Sequence, residues 1–107
     1  MRGYRLSRQA EQTLEDILSW TIEHFGIEQA ERYKDQLISR LVALAVNEPP
    51  HGRSCNGLLT GQRDMVDLEY YREGRHYIIY RNTFDEILVL DFVHGSRDLK
   101  AILDELS

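Results

Sequence analysis

The sequence predicts an α+β domain in which a hairpin of two helices packs on a β-sheet. Between residues 7 and 50 apolar residues recur with helical period, whereas three strand-like runs separated by short polar turns follow between residues 63 and 94. Helices followed by strands are typical of an α+β layer and not of a wound parallel sheet. The predicted order is β-α-α-β-β-β-α: an N-terminal strand, an antiparallel helix hairpin on an antiparallel sheet, and a short C-terminal helix, all in one domain over residues 1–107.

The N-terminal half predicts one strand and two helices. The strand is Gly3–Leu6, and Ser7 is placed to cap the first helix, because its hydroxyl can accept from a free amide of the first turn. Gly26 is predicted to end that helix as a left-handed residue, and so short a link forces the second helix to lie antiparallel to the first. Pro49 and Pro50 stop the second helix.

The C-terminal half predicts an antiparallel meander of three strands, at about Arg63–Tyr71, Arg75–Arg81 and Glu86–His94, followed by a tail helix at Asp98–Leu106. Alternation along each strand predicts which side chains share a face. In the middle strand one face carries Arg75, Tyr77, Ile79 and Arg81, and the other carries His76, Ile78 and Tyr80. In the last strand His94 is predicted to share a face with Leu88, Leu90 and Phe92, opposite Ile87, Val89, Asp91 and Val93.

Composition limits the classes of protein that this chain can represent. Its 42% hydrophobic and 29% charged residues are ordinary for a globular domain, and its longest apolar run, Leu41 to Val46, is far shorter than the roughly 20 residues of a membrane span. Cys55 is the only cysteine, which excludes an internal disulfide and favours a reducing cytoplasm. The net charge of −5 argues against a chain that binds nucleic acid on its own, but it does not exclude a local basic pocket.

Three polar side chains are candidates for chemistry: His94, Arg75 and Arg81. His94 can act as a general acid or base, or it can be a structural residue that hydrogen-bonds across the turn formed by His94, Gly95, Arg97 and Asp98; the structural interpretation is favoured. An exposed Arg-Tyr face can stabilise a phosphate in a transition state, but it is more often solvated or a docking surface. Asp98 is expected in the first turn of the tail helix, where the helix dipole favours an anion.

Aromatic residues of the hairpin are candidates for partner binding. Core packing accounts for Phe25 and Tyr33, whereas Trp20 lies off the apolar stripe and is expected to be partly exposed, as in a partner groove. His51 and Cys55 are four residues apart, but no second pair of ligands accompanies them, so neither a metal nor a cofactor is expected.

Three segments in this order resemble the ParE branch of the RelE/ParE toxins: Pro49 to Arg53 (PPHGR), Tyr77 to Arg81 (YIIYR) and His94 to Asp98 (HGSRD). The resemblance extends from Tyr4 to about Leu103. It implies the toxin of a bacterial type II toxin–antitoxin system that poisons DNA gyrase without being an enzyme. It also implies neutralisation by a ParD-like antitoxin, in a complex of two toxins and two antitoxins or another even-numbered assembly.

The resemblance leaves alternatives open. A RelE-type toxin cleaves messenger RNA on the ribosome and would use Arg75, Arg81 and His94 as catalytic residues; a decayed toxin would only bind antitoxin. For the gyrase reading, the target-binding candidates are Arg81 and three apolar residues of the tail helix, and the antitoxin-binding candidates are Trp20 and Tyr33. The tail-helix candidates are Leu99, Ile102 and Leu103. Neither a membrane nor sequence-specific nucleic-acid binding by this chain alone is expected.

Overall fold

A computed structural model describes residues 2–55 and 68–101 of the chain. Its elements are β1 (Gly3–Leu6), α1 (Arg8–Phe25), α2 (Ile27–Ala45), β2 (Arg53–Ser54), β3 (Leu68–Glu73), β4 (His76–Asn82) and β5 (Glu86–His94). Residues 99–101 begin the predicted tail helix. The remainder of that helix and the predicted start of the first meander strand lie outside the described residues. The α+β class is confirmed.

The five strands form one mixed sheet in the order β1-β5-β4-β3-β2. β3, β4 and β5 pair antiparallel as the predicted meander, whereas β1 pairs parallel with β5, from Gly3 opposite Glu86 to Leu6 opposite Val89. The two-residue strand β2 pairs antiparallel with β3 and was not predicted, because two residues are too few to show alternation.

Both ends of α1 follow from local chemistry. The Ser7 hydroxyl accepts from the amide of Ala10 at 3.0 Å and donates to the carbonyl of Leu90 at 2.8 Å, so the cap also ties α1 to the sheet. Gly26 has the expected positive φ of 92°, but its ψ of 166° is extended and not left-handed helical. That combination is essentially restricted to glycine, which explains why the hairpin turns there.

A β-bulge in β5 changes the predicted faces of this strand. Ile79 lies opposite Asp91 but Tyr80 lies opposite Val89, so Leu90 is an extra residue and the alternation inverts there. His94 does share a face with Phe92, as predicted. The prediction that Leu88 and Leu90 share that face is wrong, because the bulge places Ile87 and Val89 there instead.

The sheet has two unequal faces. The inner face packs against the helix hairpin and contains the larger core, which consists of Ala10, Leu14, Leu37, Leu41, Leu44, Ala45, Ile78, Tyr80, Ile87, Val89 and Phe92. The outer face has a smaller cluster of Cys55, Leu68, Ile79 and Val93. Within the described ranges no helix is both long and apolar enough to cross a membrane.

Candidate functional site

A groove of about 530 Å³ opens between the helix hairpin and the end of the sheet where β4 begins and β5 ends. We call it the hairpin groove. Side chains of α1 and α2 form its walls, and the residues around the β3–β4 turn close one end. Its lining consists of Thr13, Asp16, Ile17, Trp20, Thr21, Phe25, Gln29, Tyr33, Gln36, Gly74, Arg75, His76 and His94.

Aromatic side chains at the end of α1 give the groove an exposed apolar wall. Trp20 is 49% exposed, stacks on the His24 ring at 4.1 Å between centroids, and lies 5.8 Å from the Phe25 ring. The prediction that Phe25 packs in the core is wrong, because this side chain is 55% exposed and the guanidinium of Arg75 lies over its ring at 5.6 Å. The wall is therefore open to a partner.

Tyr33 connects α2 to the β3–β4 turn at the other side of the groove. Its hydroxyl accepts from the backbone amide of Arg75 at 3.1 Å and lies 2.7 Å from Nδ1 of His76. Burial raises the pKa of Tyr33 above its ordinary value. Gly74 has φ +60°, and a Cβ at this position would come within 2.7 Å of the Tyr33 ring, so the turn needs glycine for both its conformation and its space.

His76 and His94 meet edge to face at the closed end of the groove, with their ring centroids 5.3 Å apart. Burial and, to a smaller extent, the charges of His94 and Arg75 lower the pKa of His76 to about 4. His76 is therefore neutral at physiological pH, and it contributes an uncharged polar edge to the groove.

The three residues considered for RNA cleavage do not converge. Arg75 precedes β4 in the turn and lies over Phe25, so the prediction that it shares a strand face with Arg81 is wrong. Arg81 lies on the outer face opposite Leu88. His76 is the cross-strand partner of His94, and Arg81 lies five residues further along β4. Five residues of strand span about 16 Å.

His94 is engaged locally in the turn that follows β5. Its Nδ1 accepts from the backbone amide of Ser96 at 3.1 Å and lies 2.7 Å from the Ser96 hydroxyl. The amide of Gly95 donates to the Arg75 carbonyl at 2.8 Å, and that of Arg97 donates to the His94 carbonyl at 3.0 Å. This is the arrangement that the structural interpretation of the segment predicts.

The tail begins one residue later than predicted. Asp98 accepts from the amide of Ala101 at 3.3 Å and so caps the helix. The sequence instead placed Asp98 in the first turn of the helix. Leu99 packs against the outer cluster. The other two apolar candidates of the tail, Ile102 and Leu103, lie outside the described residues.

His51 and Cys55 lie in different environments. His51 is exposed and its Nε2 lies 3.1 Å from the Asn47 carbonyl, whereas Cys55 is fully buried, and burial raises the pKa of its thiol to about 12. In the described part of the chain no group of three or more potential metal ligands is found.

The outer face carries a set of residues that the sequence analysis missed. Arg53 lies opposite Tyr70 in the β2–β3 pair, and Arg72 lies opposite Tyr77 in the β3–β4 pair. We call these four residues the Arg–Tyr array. Alternation along β3 places Tyr70 and Arg72 on one face and could have identified them, but Arg53 joins them only through the unpredicted strand β2.

The fold is shared with a chain of known structure. A solved structure titled "Chromosomal ParDE TA system from P. aeruginosa" superimposes with a TM-score of 0.67 over 88% of this chain and 96% of that chain. Only 14% of the aligned residues are identical, so this likeness establishes the fold alone.

Sequence comparison establishes the family. A family model described as "ParE toxin of type II toxin-antitoxin system, parDE" matches residues 4–99. Toxin ParE1 of Caulobacter vibrioides is 29% identical over 103 residues, which are 96% of this chain and 99% of that protein. Toxin ParE1 of Mycobacterium tuberculosis is 33% identical over 91 residues, 81% of this chain and 86% of that protein. The chain belongs to the ParE toxins of type II toxin–antitoxin systems.

Proposed function

We propose that this toxin inhibits DNA gyrase in the bacterial cytoplasm, blocks replication, and does so by binding, without a catalytic centre of its own. The separation of Arg81 from Arg75 and His94, which both line the hairpin groove, supports a binding mode of action most directly. A nuclease needs its acid, base and charge-stabilising groups around one reacting phosphate. Here Arg81 lies on the opposite face of the sheet from His94, about 16 Å along β4.

We further propose that a ParD-like antitoxin neutralises the toxin by laying the apolar face of a helix in the hairpin groove. The groove offers an exposed aromatic wall at Trp20 and Phe25, and polar positions at Tyr33, Arg75 and His94 for the edge of such a helix. Helix-in-groove recognition depends on apolar anchors of this kind. The expected assembly contains two toxins and two antitoxins, which the mass of the purified complex measures directly.

The target is tested with purified gyrase and the toxin released from its antitoxin. Inhibited supercoiling together with trapped, cleaved DNA is the expected result. Neither Arg81→Ala nor His94→Ala should abolish this inhibition, provided that thermal unfolding shows each variant to be folded. Unaffected gyrase together with cut messenger RNA in a translation extract would overturn the proposal in favour of the RelE-type activity.

The antitoxin site is tested by the fluorescence of Trp20, which is the only tryptophan of the toxin. A ParD-like antitoxin whose own tryptophans are replaced by phenylalanine should shift the emission of Trp20 to shorter wavelength, because the half-exposed indole becomes covered. An unchanged spectrum on saturation with antitoxin would place the antitoxin elsewhere and leave the gyrase proposal untouched.

A further inference from the structure

The Arg–Tyr array forms the floor of a second pocket, of about 370 Å³, on the outer face of the sheet. Arginine and tyrosine alternate across three strands, in the order Arg53 on β2, Tyr70 and Arg72 on β3, and Tyr77 on β4. Cross-strand partners lie about 5 Å apart at Cβ, and diagonal neighbours about 7–8 Å apart. The Tyr70 and Tyr77 rings meet edge to face at 5.9 Å. Pro50, His51 and Tyr71 complete the described part of the lining.

The guanidinium of Arg72 is held in place and remains exposed. Its Nε donates to the Gly74 carbonyl at 3.3 Å, and its Cζ lies 5.6 Å from the centre of the Tyr77 ring. Glycine at position 95 leaves room for it, because a Cβ there would come within 2.9 Å of the guanidinium carbon. Arg53, on the neighbouring strand, is exposed as well. Two exposed cations, of which Arg72 is held in place, therefore lie on adjacent strands of the outer face.

The charge of the pocket is opposite to that of the whole protein. The chain carries 18 acidic against 13 basic residues. Among the described residues that line this pocket there are two arginines and one histidine and no aspartate or glutamate. Such a local reversal of charge favours an anionic ligand, because no described lining residue would repel it.

We propose that the Arg–Tyr array binds a single-stranded polynucleotide, with phosphates on Arg53 and Arg72 and bases against Tyr70 and Tyr77. Aromatic rings on which bases stack, interleaved with cations that track the backbone, are the means by which proteins hold single strands without reading their sequence. A duplex hides the faces of its bases, and an acidic protein segment without apolar or aromatic side chains would leave the rings uncovered. The inference holds whether or not gyrase is the target.

Fluorescence anisotropy tests this inference with antitoxin-free toxin and short labelled strands: single-stranded DNA, RNA of the same sequence, and the corresponding duplex DNA. The toxin should bind the single strands more tightly than the duplex. The double variant Arg53→Ala/Arg72→Ala should lose about tenfold or more in affinity. The slope of log K against log salt concentration should become shallower by about 1.4, the value for two lost phosphate contacts on a single strand.

Two further variants separate charge from stacking. Arg8→Ala/Arg32→Ala makes the same change of charge at two exposed positions of the helix hairpin and should leave the affinity within about twofold. Tyr70→Leu should weaken binding several-fold and leave the salt dependence unchanged, because a ring and not a charge is removed. Circular dichroism verifies that each variant is folded.

Three outcomes would overturn the inference: absence of strand binding at low salt, an equal loss in the control variant, or displacement of the strand by polyglutamate at the same charge concentration. Preference for DNA over RNA, or the reverse, identifies which polynucleotide the array takes and supports the inference either way. Cleavage of the bound RNA would count against the proposed gyrase mechanism while leaving the binding site in place.

Discussion

The two faces of the sheet serve different purposes in this small toxin. The inner face and the helix hairpin that covers it share a core of eleven buried residues, whereas the outer face holds a cluster of four and leaves the two arginines of the Arg–Tyr array exposed. The hairpin groove opens at the edge of the well-packed face, and the array lies on the sparsely packed one. A single sheet thus supports the larger core and the hairpin groove on one side, and exposed arginines on the other.

The largest expected effect is on stability, and it compares the two faces with the same substitution. Leu41→Ala in the inner core should lower the free energy of unfolding by about 3–5 kcal/mol, and Leu68→Ala in the outer cluster by about 2–3 kcal/mol. Both side chains are buried, but the smaller cluster can collapse further around the cavity. Urea unfolding measures both values, and equal losses would show that the two faces are equally well packed.

Acid should weaken the closed end of the hairpin groove through His76. Because the pKa of this group falls to about 4 in the folded chain, the unfolded chain binds the proton first as the pH drops below about 6.5. The free energy of unfolding should therefore decrease between pH 6.5 and pH 4, by up to about 3 kcal/mol. The groups that face His76 are Tyr33, Arg75 and His94.

The His76→Gln variant isolates this contribution. Unfolding measured against pH for the wild type and the variant gives a difference curve, which should slope within that window and be flat above it. A curve that is flat throughout would mean that the pKa of His76 is the same in the folded and the unfolded chain.

Antitoxin affinity should depend on the groove and not on exposed apolar residues in general. Trp20→Ala should weaken antitoxin binding by about 2 kcal/mol, or roughly thirtyfold, because it removes an aromatic anchor. Ile22→Ala, at a similarly exposed position of α1 outside the groove lining, should change the affinity by about threefold or less. Calorimetric titration measures both, and a comparable loss for Ile22 would move the interface to another side of α1.

The smallest effect is expected at the edge of the sheet. Arg5 pairs with Glu86 at 2.9 Å, but 63% of the Arg5 side chain is exposed. Arg5→Gln should cost less than about 1 kcal/mol of unfolding free energy, and less still at high salt. A larger loss in urea unfolding would show that the parallel pairing of β1 with β5 depends on this ion pair.

Local sequence chemistry was sufficient for most of the backbone. The predicted bounds of β1 and β5 agree with the structure, β4 begins one residue later than predicted, and Ser7 caps α1 as expected. These features depend on residues close together in the chain, where periodicity and capping act directly. The partial exposure of Trp20 was predictable for the same reason, since its position off the apolar stripe is a property of one helix.

The sequence by itself therefore determined the class of fold, the order of its main elements and the partial exposure of Trp20. Only the tertiary structure decided the bulge at Leu90, the parallel pairing of β1, the turning of Arg75 towards Phe25 and the assembly of the Arg–Tyr array. Each of these depends on which strands become neighbours and in what register. A shift of one residue in register moves a side chain to the opposite face of the sheet, and contacts between distant segments set that register.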